Sequence, residues 1–564
     1  MLHGALLVVG AAFLLTGAFH GQVWFDESYS VAIADKSFAN IWRIGSSDVH
    51  PVLFYWALHV LQLITGGDIA VYRIFTVAGA VATAALGLTH LRRDFGYRIG
   101  LLFSFLALFM PYVSFLSIEI RMYSWATFCV MLAWIYAYRI IRLMLTRERL
   151  GRAMKPTGAS CRTGAADGTL SYSGGRKAAG MKAVPLPTPL HFWVVFFIAS
   201  ICAAYLHYFS LLSAFIINAM LLVFLIAKRS SAKRDLIIFV VQAAVQVALF
   251  APWLIVLFNQ VGVVSNSYWV NFAFPDTLFQ IVRYPLVTMQ VTYAAVGDYG
   301  EEAFIFIIAL GVVAALFALW VAVVLVRRFR AYRHRRNECS APRRHVKDVL
   351  LSSRNLGATL ALSTYIASLV IVVAASVILG SSMLYPRYLF VCIGPLLLFT
   401  AWVFVSIDSK AITAVFCVLF LILSLFHQVL MLRDDYSSAN TAFADHLEEN
   451  WEVGDLVVSS DIGIEGVTSV ELPYIPQYYL NWQGASWGAA YEAYAPTLKI
   501  IKNWNEVLDG YQGTIWVLGA TTSSKTPTDV RDLSSRDDVD IISKQCFFQP
   551  YDRGYYTILR LEKN

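Results

Sequence analysis

Four ionisable side chains lie close together near the start of the chain: Asp26, Glu27, Asp48 and His50. They fall in the stretch from Gly21 to Pro51, between two apolar segments. A carboxylate in such a place can remove the proton from a hydroxyl group as that group attacks carbon. The alternative is a solvated loop with surface carboxylates, because charges outside the hydrocarbon need no special explanation. Ionisable groups at a membrane boundary are costly unless they are used, which favours a reactive site.

Arginine side chains lie at the ends of apolar segments farther along the chain. Arg121 is in the segment SIEIRMYSW, with Glu119 before it and Tyr123 after it, and Arg387 follows Tyr385 in LYPRYLF. A guanidinium group presents a planar fork of donors that matches phosphate oxygens. A single arginine at a membrane boundary is more often a helix anchor. Two arginines flanked by tyrosine, on the side of the acidic cluster, favour a phosphate site.

A carboxylate beside a cation suits the transfer of a sugar from a phosphate-linked donor. The carboxylate activates the acceptor hydroxyl, and arginine, histidine or a metal ion stabilises the leaving phosphate. His207 and Tyr208 are further candidates at the same boundary. The sequence has neither a phosphate-binding loop nor the glycine fingerprint of dinucleotide sites, so it does not indicate a soluble nucleotide donor.

A divalent metal ion is a possible cofactor of this cluster. Asp26, Glu27, Asp48 and His50 supply the ligand types that a hard ion such as Mg²⁺ or Mn²⁺ prefers. The cluster could also act without a metal, so the requirement stays open. The seven cysteines show neither metal-ligand spacing nor a disulfide framework.

The composition predicts a membrane protein with many spans. The chain has 564 residues, of which 58% are hydrophobic and 14% charged, and its mean hydropathy is +0.60. A soluble protein of this length could not cover its surface with so few polar side chains. Eleven apolar runs are candidates for spanning helices. They are Leu2–His20, Ala70–Leu91, Ile99–Leu116, Met122–Ile141, His191–Leu206, Phe209–Ala227, Leu236–Phe258, Ala303–Val326, Ala358–Leu379, Leu389–Ile407 and Ala411–Leu432.

The distribution of basic residues predicts the orientation in the cell membrane. With a cytoplasmic N-terminus, the inner loops hold 28 Lys and Arg residues and the outer segments hold 6. The positive-inside rule therefore places the acidic cluster and the C-terminus outside the cytoplasm. Residues 142–190 and 327–357 are predicted basic cytoplasmic loops. Their position between spans favours contact with anionic membrane lipids and not with nucleic acid.

The first outer loop, residues 21–69, is predicted to lie along the membrane surface. It contains a short amphipathic piece, Phe38 to Ile44, and an apolar run, Pro51 to Thr65, that is too short to cross. Two interfacial helices there would hold the acidic cluster at the level of the lipid head groups.

The composition changes after Leu432, which divides a membrane domain, 1–432, from a C-terminal domain, 433–564. The latter has 10 Lys and Arg against 20 Asp and Glu residues. The runs DLVVSSD, TIWVLGA, VDIISKQCFF and YYTILRLE predict strands, and Asn440–Trp451 and Pro496–Leu508 predict helices, so we expect a small soluble α/β domain. Its segment PQYYLNWQGASWGAAYEAY could bind a sugar or a peptide, or could simply pack in a core.

Several motifs resemble those of the GT-C glycosyltransferases, specifically their protein O-mannosyltransferase-like branch, glycosyltransferase family 39. Members have FDE after the first span and DVHPP before the next helix, and this chain has Phe25-Asp26-Glu27 and Asp48-Val49-His50-Pro51. SIEIRMYSW is similar to their glutamate-x-arginine-methionine-tyrosine segment, and LHYFSLL and YPRYLFVCIGPLLL are similar to later boundary segments. The resemblance covers residues 1–432.

The resemblance implies a polytopic helical GT-C fold, a polyprenyl-phosphate sugar donor, a site on the outer face and inversion at the anomeric carbon. It implies that Asp26 is the catalytic base with Glu27 as its partner. The donor phosphate would contact Arg121, Arg387, His50 and Tyr123, and the rest of the site would comprise Asp48, Glu119, His207, Tyr208 and Tyr385.

The acceptor is less defined. Val52 stands where the family has a second proline, and the acidic C-terminal domain is not the family's usual sugar-binding module. A glycan, a lipid or a protein of the cell envelope therefore remains an acceptor candidate. The resemblance also leaves two alternatives. One is a flippase for lipid-linked glycans, which would place ionisable groups near the midplane, and the other is a polymerase or ligase that uses a whole lipid-linked oligosaccharide.

Overall fold

The computed structural model describes residues 1–153, 187–229, 232–267, 276–286, 311–324, 353–379, 383–459, 463–481, 489–521, 538–551 and 554–564, with a few single residues between these ranges. The middle of both predicted basic loops, 154–186 and 331–352, lies outside the described residues.

Helices make up the first three quarters of the chain. In order they are α1 (Leu2–Leu15), α2 (Phe25–Ala34), α3 (Phe38–Gly45), α4 (Leu53–Thr65), α5 (Ile69–Leu86), α6 (Tyr97–Phe109), α7 (Pro111–Leu116), α8 (Tyr123–Ala153), α9 (Leu190–Leu206), α10 (Tyr208–Ala227), α11 (Lys233–Ser267), α12 (Asp276–Arg283), α13 (Gly311–Val324), α14 (Ser353–Leu379), α15 (Ile393–Ile407) and α16 (Lys410–Asp435). A π-helical turn and a further helical turn extend α5 to Phe95, and two short turns from Pro386 lead into α15.

Seven helices of the described chain are long and apolar enough to cross a membrane, so the chain is a multi-pass membrane protein. They contain seven of the eleven predicted spans. The predicted runs Leu2–His20, Ile99–Leu116 and His191–Leu206 overlap shorter apolar helices, and the described part of Ala303–Val326 contains another, Gly311–Val324. One continuous helix over Ile99–Leu116 is wrong, because Pro111 lacks the N–H that a helix interior needs and Met110 is extended.

Two short helices, α3 and α4, lie where the sequence predicts helices along the membrane surface, and their position at that surface stays a prediction. The hydroxyl of Ser37 accepts a hydrogen bond from the backbone N–H of Asn40 and caps α3. The structure adds a third short helix, α2, which begins at Phe25 and carries Asp26 and Glu27 in its first turn. Carboxylates are favourable there because they face the positive end of the helix dipole.

The helix α8 forms the centre of the bundle and packs against α5, α9 and α10. At Gly79 the helix α5 comes so close to α8 that an added Cβ would lie 2.8 Å from the Ser124 hydroxyl oxygen. Ser124 also donates a hydrogen bond of 2.6 Å to the carbonyl of Thr76. This close packing fixes the start of α8, and with it the preceding loop that holds Arg121.

A six-stranded sheet forms the C-terminal domain and confirms the predicted α/β class. The strands are β1 (Leu456–Ser459), β2 (Gln477–Leu480), β3 (Leu498–Ile501), β4 (Gly513–Thr521), β5 (Val539–Gln549) and β6 (Gly554–Lys563). Their order is β3-β2-β1-β4-β6-β5. The strands β3, β2, β1 and β4 are parallel, and β6 runs antiparallel to both of its neighbours, β4 and β5. Helices α17 (Ala442–Asn450) and α18 (Ile464–Glu471) accompany the sheet.

The four runs predicted as strands are β1, β4, β5 and β6, and the helix predicted over Asn440–Trp451 is present as α17. The helix predicted over Pro496–Leu508 is wrong. Leu498–Ile501 is the edge strand β3, whose residues Leu498 and Ile501 are buried, and only Asn505–Leu508 is helical. Pairing with β2 and the β-branched isoleucines outweigh the weak helical pattern.

The C-terminal domain is docked on the membrane part. Tyr479, Tyr491 and Tyr494 belong to the same buried apolar cluster as the membrane helices. In addition, α18 packs against α2. For these three tyrosines the structure therefore favours packing over ligand binding, while residues 482–488 of the same aromatic segment lie outside the described residues.

Candidate active site

Asp26 forms a buried ion pair with Arg387. Nη1 of Arg387 donates to Oδ2 of Asp26 over 2.6 Å, and the side chains are 14% and 16% exposed. The guanidinium carbon of Arg387 also lies 5.4, 5.0 and 5.7 Å from the ring centres of Trp24, Tyr385 and Tyr388. Arg387 is thus held between an anion and three aromatic faces, at the point where its helix begins.

The charge of Asp26 is set by two opposing effects. Burial alone would raise its pKa, but the guanidinium groups of Arg387 and Arg121 outweigh that effect and bring the pKa below its usual value. Asp26 is therefore a carboxylate at neutral pH, as a general base must be.

Arg121 joins Asp26 to His50. Nη1 of Arg121 donates to the backbone carbonyl of Asp26 over 3.1 Å, and Nη2 lies 3.4 Å from Nε2 of His50. Burial and the charge of Arg121 lower the pKa of His50, so the imidazole is neutral. Nη2 of Arg121 also lies 3.2 Å from Nδ1 of His50, and that Nδ1 is 3.5 Å from Oδ2 of Asp48, so the neutral ring stands between the guanidinium group and the carboxylate.

Asp48 is the second carboxylate of this cluster. Burial raises its pKa, but hydrogen bonding to His50 and the positive charge of Arg121 lower it further than burial raises it. Tyr55 donates to its Oδ2 over 3.2 Å. Asp48 thus orients His50 and stays charged.

Tyr208 holds the backbone of Asp48 in place through Gln260. Its hydroxyl donates to Oε1 of Gln260, and the amide of Gln260 donates to the backbone carbonyl of Asp48. The indole N–H of Trp253 donates to the Tyr208 hydroxyl over 3.0 Å. The sequence places Tyr208 in the site, and the structure makes it a support for the loop that bears Asp48.

Glu27 is the best-satisfied charge of the region. Its carboxylate is fully buried and accepts from Nη2 of Arg73 at 2.9 Å, Nε of Arg73 at 3.3 Å, the backbone N–H of Ile120 at 3.0 Å and the hydroxyl of Tyr551 at 2.8 Å. Arg73 is fully buried as well and donates to the carbonyls of His20 and Gln22. Glu27 therefore connects four separate segments of the chain and is not free to take up a proton from a substrate.

Replacement of Glu27 by glutamine should destabilise the protein strongly. The variant leaves the guanidinium of Arg73 buried without its counter-charge, which typically costs about 3–5 kcal/mol. We expect a fall of several degrees in the melting temperature of the detergent-solubilised protein. Glu492→Gln is the matched control, because Glu492 pairs with Arg43 at the surface and such pairs contribute at most about 1 kcal/mol. Equal melting temperatures for both variants would contradict this role.

Glu119, Tyr123 and His207 complete the wall of the site. Among the described residues, neither carboxylate oxygen of Glu119 nor the hydroxyl of Tyr123 has a hydrogen-bond partner, although both side chains are buried. The ring of His207 lies 5.5 Å from that of His50 and 5.6 Å from that of Tyr123, and its Nδ1 accepts from the backbone of Phe209. Burial, helped by the nearby cations, keeps the pKa of His207 well below its usual value, so the ring is neutral.

The residues predicted as ligands of a divalent metal ion are paired with other protein groups in the structure. The described chain contains no group of three His, Cys, Asp or Glu side chains that could hold one. Asp26 is engaged by Arg387, Glu27 by Arg73, and Asp48 by His50 and Tyr55. The three carboxylates therefore have protein partners already, and the proposed chemistry uses no metal ion.

The sequence pattern missed several contributors to the site. Trp24 lies just before the FDE motif and Tyr388 directly follows Arg387, so their positions next to these motifs could have identified them as site residues. The sequence does place Arg73 near the same membrane boundary, as a further arginine close to a helix end, but it does not indicate that Arg73 pairs with Glu27. Tyr494 and Tyr551 come from the C-terminal domain. Tyr494 ends the aromatic segment PQYYLNWQGASWGAAYEAY, which the sequence marks as a binding candidate, whereas no spacing in the sequence points to Tyr551.

Comparison with known proteins finds similarity among solved structures alone. No protein-family model matches the chain, and no curated protein matches it. Among the solved structures that the chain is similar to are ArnT from Cupriavidus metallidurans bound to undecaprenyl phosphate and the same protein in the apo state. Each is 11% identical to this chain with a TM-score of 0.46, and each match covers 99% of this chain and 97% of the other. Similarity at this level says nothing about activity, so membership of the GT-C superfamily or of its mannosyltransferase-like branch belongs to the proposal below.

Proposed function

We propose that the protein is an integral membrane glycosyltransferase of GT-C type. It transfers one sugar from a polyprenyl-phosphate donor to a glycan, lipid or protein acceptor of the cell envelope, on the extracytoplasmic face of the cell membrane. The observation that carries this proposal is the meeting of Asp26 with Arg387 and Arg121 where membrane helices begin. That place combines a base for an acceptor hydroxyl with two cations for a lipid phosphate.

The orientation of the chain adds support. Arg73, Arg121, His207 and Arg387 stand within a few residues of the starts of α5, α8, α10 and the turns before α15, and contacts bring these starts together around α2. These four helix starts therefore share one end of the bundle. The asymmetry of basic residues in the loops supports a position of that end outside the cytoplasm.

The transfer step follows from the positions of base and cations. Asp26 takes the proton of the acceptor hydroxyl while the hydroxyl oxygen forms a bond to the anomeric carbon of the donor sugar. The bond from that carbon to the phosphate oxygen breaks, and its electron pair leaves with the polyprenyl phosphate. A single displacement of this kind inverts the configuration at the anomeric carbon. The phosphate goes from one negative charge to two, and Arg387 and Arg121 stabilise the added charge.

Arg387 has a double function in this scheme. In the structure it neutralises Asp26 and depresses the pKa of that carboxyl, which makes Asp26 a weak base. A donor phosphate that draws part of the Arg387 hydrogen bonding to itself raises the basicity of Asp26. The base thus becomes effective only when donor is bound, which protects against unproductive reactions.

The neutral histidines fit a site for one anion. His50 accepts from Arg121 and so orients the guanidinium fork without adding charge. His207 and Tyr123 line the same wall, and the unpartnered hydroxyl of Tyr123 can donate to a phosphate oxygen.

Reconstitution in vesicles tests the function against its two alternatives. Purified protein is supplied with a polyprenyl-phosphate monosaccharide or with a lipid-linked oligosaccharide, together with an envelope extract as acceptor. Transfer from the monosaccharide carrier alone supports the proposal, and transfer from the oligosaccharide carrier alone supports a polymerase or ligase. Movement of the carrier across the bilayer without transfer would support a flippase and contradict the proposal.

Glu119 predicts a specific pH dependence of donor binding. Burial, reinforced by the charges of Asp26 and Glu27 and opposed by Arg387 and Arg121, raises the pKa of Glu119 to about 8. Below that pH Glu119 is protonated and neutral, and above it an extra negative charge stands in the site. We therefore expect the KM for donor to rise about tenfold between pH 7 and pH 9, as a buried charge repels the phosphate. Glu119→Gln should remove this rise and keep the KM seen at pH 7. A variant whose KM rises as in the wild type would contradict the assignment.

A further inference from the structure

The C-terminal domain contacts α2, the helix that carries the proposed base Asp26. Four polar contacts join it to α2 and the following α3. The hydroxyl of Tyr551 donates to Glu27 over 2.8 Å, and the hydroxyls of Tyr494 and Ser28 lie 3.2 Å apart. At the outer edge Nζ of Lys36 donates to the carbonyl of Ala495 over 2.6 Å, and Arg43 pairs with Glu492 at 2.7 Å. The base helix is therefore enclosed between the membrane bundle and the C-terminal sheet.

The approach of the two parts is closest at Gly466 of α18. A Cβ there would lie 2.6 Å from the hydroxyl oxygen of Ser28 and 2.4 Å from that of Tyr494. A larger residue at position 466 would displace one of these two hydroxyl groups, so glycine allows α18 to pack directly against the Ser28 and Tyr494 side chains.

Tyr551 is itself held firmly in place. It lies just after β5, its backbone N–H donates to Oδ1 of Asn440 over 2.9 Å, and its ring meets that of His20 edge-on at 4.9 Å. Asn440 in turn donates over 2.7 Å to the carbonyl of Asp434 near the end of α16. The Tyr551 hydroxyl is thus anchored to both the last membrane helix and the N-terminal segment.

Glu27 connects Tyr551 with both Asp26, the proposed base, and Arg121, a proposed phosphate ligand. Glu27 is the chain neighbour of Asp26, and its Oε1 accepts from the backbone N–H of Ile120, which is the chain neighbour of Arg121. A shift of the Glu27 carboxylate therefore moves the base relative to the phosphate-binding arginine. Tyr551 supplies one of the four donors that fix this carboxylate.

We propose that Tyr551 is a positioning residue for sugar transfer, through which the docked C-terminal domain holds Asp26 and Arg121 in register. This role rests on the proposed function. It makes the C-terminal domain a working part of the enzyme and not a detachable binding module. Tyr551 acts through Glu27 and touches no reacting atom.

The test uses the full-length protein in vesicles with a polyprenyl-phosphate monosaccharide as donor. In Tyr551→Phe the carboxylate of Glu27 loses a donor, α2 loosens, and the Asp26–Arg387 pair lengthens. We expect kcat to fall about tenfold and the acid limb of the kcat–pH profile to move to higher pH, because Asp26 loses part of the interaction that lowers its pKa. A mere loss of folded protein scales the profile without moving it.

Three further variants make the result specific. Tyr555→Phe removes a hydroxyl from the neighbouring strand and should leave both kcat and the profile unchanged. Tyr551→Gln, whose amide can still donate to Glu27, should recover part of the rate and serves as the comparison if Tyr551→Phe does not fold. Glu27→Gln combined with Tyr551→Phe should lose little beyond Glu27→Gln alone, because both act through one carboxylate.

Failure of this proposal differs from failure of the proposed function. A wild-type protein that transfers sugar, together with a Tyr551→Phe variant whose profile does not move, overturns the positioning role alone. Additive losses in the double variant overturn it as well. A folded wild-type protein that transfers no sugar overturns the function and this role together.

Discussion

Replacement of Asp26 by asparagine is expected to lower sugar transfer by about 10³-fold, within the range that general acid–base groups contribute. The asparagine keeps the shape of the side chain but cannot take the proton of the acceptor hydroxyl. Asp26 is the carboxylate best placed for this task, since Glu27 is enclosed by four donors and Asp48 is engaged by His50 and Tyr55. The rate is measured in vesicles that contain a polyprenyl-phosphate monosaccharide.

Asp35→Asn is the matched control for this variant. Asp35 is an exposed aspartate at the end of the same helix, where its carboxylate accepts from Gln62. It should leave transfer unchanged. Equal thermal stability of both variants would show that the protein still folds, and full activity in Asp26→Asn would reject Asp26 as the base.

Replacement of Arg387 by glutamine should produce the second large effect. Removal of one preorganised group that stabilises developing charge typically costs 10²- to 10³-fold in rate, and we expect about 10³-fold in kcat/KM for donor because Arg387 also positions Asp26. Arg387→Lys should recover only part of this loss, since an ammonium group lacks the planar fork that meets both a carboxylate and a phosphate. Steady-state kinetics with varied donor concentration measures kcat and the KM for donor.

The control for Arg387 lies at the other end of the membrane part. Arg98 forms an exposed ion pair with Asp408 at 3.0 Å, so Arg98→Gln should change neither kcat nor KM. Unaltered donor kinetics in Arg387→Gln would show that the donor phosphate binds elsewhere.

The sequence predicts the membrane part well where one physical signal dominates. Long apolar runs without charge have few alternatives to spanning helices, and seven of them have the expected length in the structure. Shorter apolar runs do not show by themselves whether they cross the membrane. Pro111 divides one of them into two helices, and the others form helices shorter than a full span. The helix α2 was missed because FDESYSVAIA has no strong apolar period, and packing between two domains stabilises it instead.

The convergence of Asp26 with Arg121 and Arg387 was predicted from residue types at helix boundaries, and the structure brings them into contact. The sequence could not predict the different roles of the two neighbouring acids, Asp26 as the proposed base and Glu27 as a buried structural ion pair. Adjacent helical residues point about 100° apart, so one carboxylate meets Arg387 and the other meets Arg73. Only the three-dimensional positions of the two arginines decide which acid is free to act.

The contribution of the C-terminal domain had no signal in the sequence. Tyr551 and Glu27 are 524 positions apart, and a tyrosine at the end of a strand is a common surface residue. The strands themselves were recognisable from their β-branched runs. The docking of the sheet on α2 depends instead on a glycine at position 466 and on side-chain shapes that a pattern does not encode.

Binding of polyprenyl phosphate to the Asp26→Asn variant tests the central claim most directly, because base and phosphate share Arg387. The affinity is measured for wild-type protein, Asp26→Asn and Arg387→Gln in lipid nanodiscs. Release of Arg387 from its competing carboxylate predicts tighter binding to the inactive Asp26→Asn than to the wild type, and much weaker binding to Arg387→Gln. Weaker binding to Asp26→Asn, or binding that does not depend on Arg387, would contradict a shared site.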